Sequence, residues 1–210
     1  MREQRRFTLI YADVFQIART PELASGLHAL WRELEIITAQ QSTDKVFVHA
    51  GAIGWKDRGV IFPRHSMSGK STLVKALLQA GGQYISDEYA LIDSMGKVHH
   101  YSRKLTLWER DGRASQVSAL NLGASACAEG LLLDKVVFTA YRDRARWKPR
   151  RLSLGQGVLR LMSHVATAPS KYSWELSILL DATMDKRIFE GARPDADSSL
   201  SPILQFIDSI

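Results

Sequence analysis

The stretch Gly59-Val-Ile-Phe-Pro-Arg-His-Ser-Met-Ser-Gly-Lys-Ser-Thr72 constrains the fold more than any other part of the chain. Val60 to Phe62 is a short apolar run of the kind that forms a buried strand, and it breaks at Pro63. A small-residue loop ends in Gly69-Lys70-Ser71-Thr72, after which Leu73, Val74, Leu77 and Leu78 recur on one helical stripe. Strand, loop, Gly-Lys-Ser/Thr and helix, in that order, describe a phosphate-binding loop. Successive backbone N–H groups curl around phosphate oxygens, and the positive end of the helix dipole faces the same anion. In this reading Ser66, Met67, Ser68, Gly69, Lys70, Ser71 and Thr72 bind the phosphates of a nucleotide. Lys70 neutralises the outer phosphates and the Ser71 hydroxyl holds Mg²⁺. Arg64 stands where the usual pattern has its first glycine, so the turn there either avoids positive φ or carries a steric cost. The competing reading is that Ser68 is an ordinary helix N-cap and nothing more.

The flanking segments bring further groups to this loop. Val46 to Trp55 reads as a strand, and Trp55-Lys56-Asp57-Arg58 as a turn into the strand that begins at Gly59. That register places Gly54 opposite Gly59 and His49 opposite Arg64, at the mouth of the loop. Downstream, Ala80-Gly81-Gly82 stops the helix, and Gln83-Tyr-Ile-Ser86 follows as a strand. A strand–helix–strand unit of this length predicts a parallel crossover whose two strands end at one sheet edge. Asp87 and Glu88 are thereby carried to the edge that holds Lys70 and Ser71. One carboxylate can enter a metal shell and the other can act as a base for an incoming hydroxyl; a solvated turn is the plainer alternative.

The rest of the chain adds limits rather than motifs. With 210 residues, 45% hydrophobic and 24% charged, it is long enough for a real core. A net charge of +6 suits an anionic ligand without requiring nucleic acid. Cys127 is the only cysteine, so neither an internal disulfide nor a cysteine metal cluster can form. No secretory or membrane-spanning segment is legible, and a cytoplasmic protein is expected. Residues 1–44 read as a strand-and-helix extension packed on the core, a packing or oligomer surface, with Thr20 as helix cap and Pro21 in the first turn. Residues 45–210 form the main domain. His99 and His100 point to opposite faces of a strand and cannot chelate one ion. Arg142 to Arg151 is the most basic stretch, able to clamp a nucleotide or an acidic protein surface, or simply to be solvated. Ser153 and Gln156 form a capping box, a helix spans Tyr172 to Ala182, and a last one opens with Ser201 as cap and Pro202 in its first turn.

With these residues in place, the chain resembles the HPr kinase/phosphorylase family and its smaller HPr-kinase-like serine kinases. The likeness rests on Val48-His49-Ala50, Ser66 to Ser71, Gly81 and Ser86-Asp87-Glu88 and covers about Val46 to Asp93. It implies a compact α/β core, a P-loop-containing mixed sheet with flanking helices, related to the nucleotide domain of phosphoenolpyruvate carboxykinase and often assembled into oligomers. It also implies that His49 assists phosphoryl transfer, Lys70 grips phosphate, Ser71 and Asp87 bind Mg²⁺, and Glu88 is the catalytic base. Arg64 and Met67 replace loop glycines of the family, and Glu88 replaces an aspartate, displacing its carboxylate by roughly 1 Å. The family's downstream metal-binding glutamate has no clear counterpart; Glu109 and Glu129 are the candidates. The short N-terminal piece speaks against HPr itself as acceptor. The expectation is therefore an ATP- and Mg²⁺-dependent kinase for a seryl hydroxyl on a protein or peptide. Its rivals are a catalytically degenerate ATP-binding regulatory or peptide-maturation partner, and a structural domain that binds no nucleotide.

Overall fold

The described residues begin with two strands rich in β-branched and aromatic side chains, β1 (Thr8–Ala12) and β2 (Phe15–Thr20), which form an antiparallel hairpin. The computed structural model of the chain describes residues 6–63, 69–108, 113–127, 129–166, 168–184 and 186–209. Helix α1 (Leu23–Gln41) follows the hairpin and lies on it where Gly26 leaves room, since a Cβ there would come within 2.8 Å of Thr8 Cγ2. The expected cap at Thr20 is not used. Thr20 pairs with Thr8 as the end of β2, and its hydroxyl accepts the Glu22 N–H at 3.2 Å, so the helix starts after Glu22. Leu23, Leu27, Trp31, Leu34 and Ile37 are exposed. These elements belong to one compact unit, Met1–Thr43; the remainder, Asp44–Ile210, forms a second.

The second unit is built on strands β3 (Lys45–Trp55) and β4 (Arg58–Pro63), joined by a two-residue turn in which Lys56 and Asp57 take φ of 48° and 59°. Two successive positive φ values mark the mirror-image turn whose twist matches a hairpin. The register is the expected one, Gly54 opposite Gly59 and Ala50 opposite Pro63. Helix α2 (Lys70–Gln79) comes next and buries Leu73, Val74, Leu77 and Leu78, and the chain turns away at Gly81, whose φ is 105°. Strands β5 (Gln83–Ser86), β6 (Tyr89–Asp93) and β7 (Lys97–His99) precede a separate hairpin, β8 (Leu105–Trp108) with β9 (Ala114–Val117). The chain ends with β10 (Leu131–Tyr141), β11 (Arg150–Arg151), α3 (Leu154–Met162), α4 (Tyr172–Thr183), β12 (Arg187–Arg193) and α5 (Ala196–Asp208).

The fold class is α/β with a mixed sheet. Its order runs β11-β12-β10-β4-β3-β6-β7, with β5 also on β3 and with β7 returning to pair with β10. Both long strands serve two partners along one edge: β3 pairs with β6 over Lys45–His49 and with β5 over Ala52–Gly54, both antiparallel. Strands β4, β10 and β12 are parallel to one another. The crossover from β4 through α2 to β5 differs from expectation in one respect. Both strands pair antiparallel with β3, so they run in the same direction, but β3 lies between them. Their C-terminal ends still share one sheet edge.

Successive side chains on a strand point to opposite faces, so the sheet carries two apolar layers. Val48, Ala50, Val136 and Phe138 pack with Val158 and Leu161 of α3 and Ile178 and Leu179 of α4. On the other face Ile53, Phe62 and Val137 pack with Leu73 and Leu77 of α2 and Ile203 and Ile207 of α5. Each such fully buried aliphatic side chain contributes about 1.5–3 kcal/mol. The capping box of α3 forms as expected: Ser153 Oγ accepts the Gln156 N–H, and Gln156 Oε1 accepts the Ser153 N–H. Helix α5 departs from expectation. Asp195 rather than Ser201 is its cap, accepting both the N–H and the hydroxyl of Ser198 at 2.8 Å, and Pro202 lies inside the helix. Among the described residues no helix is long and apolar enough to cross a membrane.

Candidate functional site

The turn between β5 and β6 fixes the acidic doublet. Ser86 Oγ, itself buried, accepts the N–H of Glu88 at 3.2 Å and of Tyr89 at 3.1 Å. Ala52 of β3 pairs with Ser86, and His49 pairs with Tyr89. Asp87 and Glu88 therefore pass beside Ala50 and Gly51, and the Ala50 N–H donates to the Glu88 carbonyl at 3.1 Å.

From the other side comes Lys70, the first residue of α2, buried to 7% exposure. Its stem lies over Gly51. A Cβ built on Gly51 would meet Lys70 Cγ at 3.1 Å and Val74 Cγ2 at 2.6 Å, so no other residue fits. Gly51→Ala is expected to lower stability by about 1–3 kcal/mol, measured by urea unfolding, because the backbones of β3 and α2 must part. A variant as stable as wild type would show that this close approach is not maintained.

The groups converge as the sequence indicates. Lys70 Nζ lies 4.0 Å from Glu88 Oε2, and His49 Nε2 lies 3.0 Å from Glu88 Oε1. The Ser71 hydroxyl sits close enough to the Asp87 carboxylate to favour its charged form, and Asp87 Oδ1 is buried with no hydrogen-bond partner among the described residues. Gly69 is the N-cap of α2 in the left-handed conformation, with φ of 75°, and supplies no side-chain cap. Thr72 is exposed on the first turn. Arg64, Ser66, Met67 and Ser68, the remaining loop positions, lie outside the described residues, as does Glu109. Glu129 stands beside Cys127, whose thiol donates to its carbonyl, and is not among the groups acting on Lys70, Asp87 or Glu88. The two neighbouring histidines go separate ways: His99 bonds Asp93 at 2.6 Å and His100 packs edge-on to Tyr84.

Burial and charge push the two carboxyls apart. Burial raises the Asp87 carboxyl to about 6, against the opposing pull of Lys70 and the Ser71 hydroxyl. Burial also raises Glu88, but the hydrogen bond to His49 and the charges of Lys70, His49 and Arg103 outweigh it and hold Glu88 at about 2. Burial lowers the Lys70 ammonium, an effect that Asp87 and Glu88 offset in part. A doublet of unequal carboxyls beside a buried cation is a frequent arrangement at reactive sites.

Two arginines at the site are absent from the sequence reading. Arg103, whose carbonyl accepts the Tyr84 hydroxyl at 2.6 Å, acts on both Lys70 and Glu88. It follows β7 in an irregular segment with no pattern to mark it. Arg193, 2% exposed, donates from Nη2 to the Gly69 carbonyl at 2.7 Å and so ties the loop end to β12. The signal for Arg193 is topological: it ends a strand parallel to β10, which is parallel to β4, and all three finish at the edge that holds the loop. No protein-family model matches the chain, and no curated protein matches it either.

Proposed function

We propose that the larger unit is a P-loop kinase, HPr-kinase-like, that transfers the γ-phosphoryl group of ATP to a seryl hydroxyl on a protein or peptide. The observation that carries this reading is the buried Lys70 ammonium 4.0 Å from Glu88, at the start of α2 and beside an Asp87 oxygen that is buried without a hydrogen-bond partner among the described residues. A buried cation and an unsatisfied carboxylate oxygen are both costly unless a ligand completes them. Asp87 and Ser71 are oxygen donors of the kind Mg²⁺ takes, and Mg²⁺ draws its other ligands from water and phosphate rather than from a protein cage. When bound, Mg²⁺ supplies neutralisation of the phosphate charge.

The residues then divide the work. Lys70 and the first amides of α2 hold the phosphates at a helix N-terminus. Arg193 keeps Gly69 in place by gripping its carbonyl. Glu88, oriented by His49, receives the proton of the seryl hydroxyl as its oxygen bonds to phosphorus and the bond from the γ-phosphorus to the bridging oxygen breaks. Because phosphoryl transfer depends mostly on positioning and electrostatics, the proton moves late and a weak base suffices. His49→Ala is expected to reduce kcat about 10- to 100-fold through loss of that orientation. The rise in melting temperature caused by Mg–ATP should be unchanged; a loss of nucleotide binding in this variant would place His49 in the binding machinery instead.

A second reading is an ATP-binding regulatory or peptide-maturation partner without transfer, and the low proton affinity of Glu88 favours it. Two measurements on the wild-type chain separate the readings. Millimolar Mg–ATP should raise the melting temperature, by about 2.7 kcal/mol of added stability at a hundred times Kd. Labelled ATP incubated with the protein and a lysate of its own source should then yield a labelled seryl acceptor. Binding without transfer supports the second reading, and an unchanged melting temperature removes both.

A further inference from the structure

The basic stretch noted in the sequence does not run free over the surface. On the sheet face covered by α3, a cavity of about 300 Å³ opens between the ends of β10 and β12. Four cations from separate elements converge on it: Arg142 after β10, Lys148 in the following loop, Arg150 of β11 and Arg160 of α3. Arg160 reaches the cavity only because α3 packs across β12, and its guanidinium stacks 4.8 Å from the ring centre of Phe138.

Glu190 is the one carboxylate in the lining, and both its oxygens are taken: Oε1 by Arg150 and Oε2 by Arg160. Those two pairs hold the guanidinium groups in place. Arg142 and Lys148 have no carboxylate partner among the described residues, and both are exposed at the cavity. Like charges gathered from separate elements repel one another, and an anion in the space they share offsets that repulsion. Arginine forks match the oxygens of a phosphoryl group, and the volume exceeds what a bare phosphate fills. Ala140 and Ala192 leave an apolar part of the lining for an organic body.

We propose that this cavity binds a small phosphate monoester, held by Arg142 and Lys148 and separate from the site at Lys70. The two sites lie on opposite faces of the sheet, since Phe138 belongs to the layer packed against α3 and α4 while α2 packs against the other. The proposal does not depend on the kinase reading.

Calorimetric titration of the full chain tests it, with phenyl phosphate and inorganic phosphate as probes and Lys70→Ala as the background that disables the loop. One equivalent of phenyl phosphate should bind to Lys70→Ala. Adding Arg142→Glu and Lys148→Glu, both at exposed positions, should weaken that binding roughly tenfold or more. Arg142→Gln with Lys148→Gln should weaken it less, and melting temperatures confirm that each variant is folded. Absence of binding in Lys70→Ala, or binding that survives the charge reversals, overturns the proposal. Inorganic phosphate bound as tightly as the ester overturns the assignment of a monoester.

Discussion

Replacing Lys70 with methionine is expected to reduce phosphoryl transfer about 10²- to 10³-fold, the loss that follows removal of a single preorganised charge-stabilising group. Methionine keeps an unbranched stem over Gly51, so the contact between α2 and β3 survives. The fold should tolerate the change. Burial lowers the Lys70 ammonium, which means the native state holds this charge against a desolvation cost. Lys70→Ala should behave alike in activity and lose somewhat more stability, since it also empties the space of the stem. Mg–ATP should no longer raise the melting temperature of either variant. Transfer at the wild-type rate by a folded Lys70→Met protein would remove Lys70 from the chemistry and the kinase assignment with it.

Asp87→Asn should stabilise the protein at neutral pH while abolishing its response to Mg²⁺. The Asp87 carboxyl titrates near 6 in the folded chain against an ordinary value of 3.8, because burial disfavours its charge. Between those values the folded chain binds the proton more tightly than the unfolded chain does. The stability from Asp87 is thus fully present below about pH 4, declines as pH rises, and is lost above about 6. The difference corresponds to about 3 kcal/mol. Asparagine resembles the neutral acid, so the advantage of Asp87→Asn should be near zero at pH 4 and grow to about 2–3 kcal/mol by pH 7. Glu88 has the opposite sign: its carboxyl is held at about 2 against 4.5, so its contribution is present above 4.5 and lost as pH falls toward 2. Urea unfolding of both proteins across pH 4 to 7 measures the difference directly. An advantage that does not change with pH would show that Asp87 titrates as an ordinary carboxylate.

The sequence by itself determined the local pieces of the site. Gly54 to Gly59 set the hairpin register, the stripe from Leu73 to Leu78 set the buried face of α2, and the break at Gly81 set its end, all through backbone geometry and residue periodicity within a few positions. Direction along the sheet then brought Asp87 and Glu88 to Lys70, even though β3 intervenes where neighbouring strands were expected. Local signals also misled. Thr20 and Ser201 are good caps by residue type, yet strand pairing claimed Thr20 and Asp195 offered an earlier cap for α5.

Only the tertiary structure decided the electrostatics. Arg103 and Arg193 reach the site from segments without a motif, and the cavity of Arg142, Lys148, Arg150 and Arg160 exists because α3 folds back across β12. Two adjacent carboxylates look equivalent in a sequence. They differ here because one is enclosed beside Ser71 and the other meets His49 and Lys70, and charge energies depend on burial and on distances of a few ångströms that no one-dimensional spacing encodes.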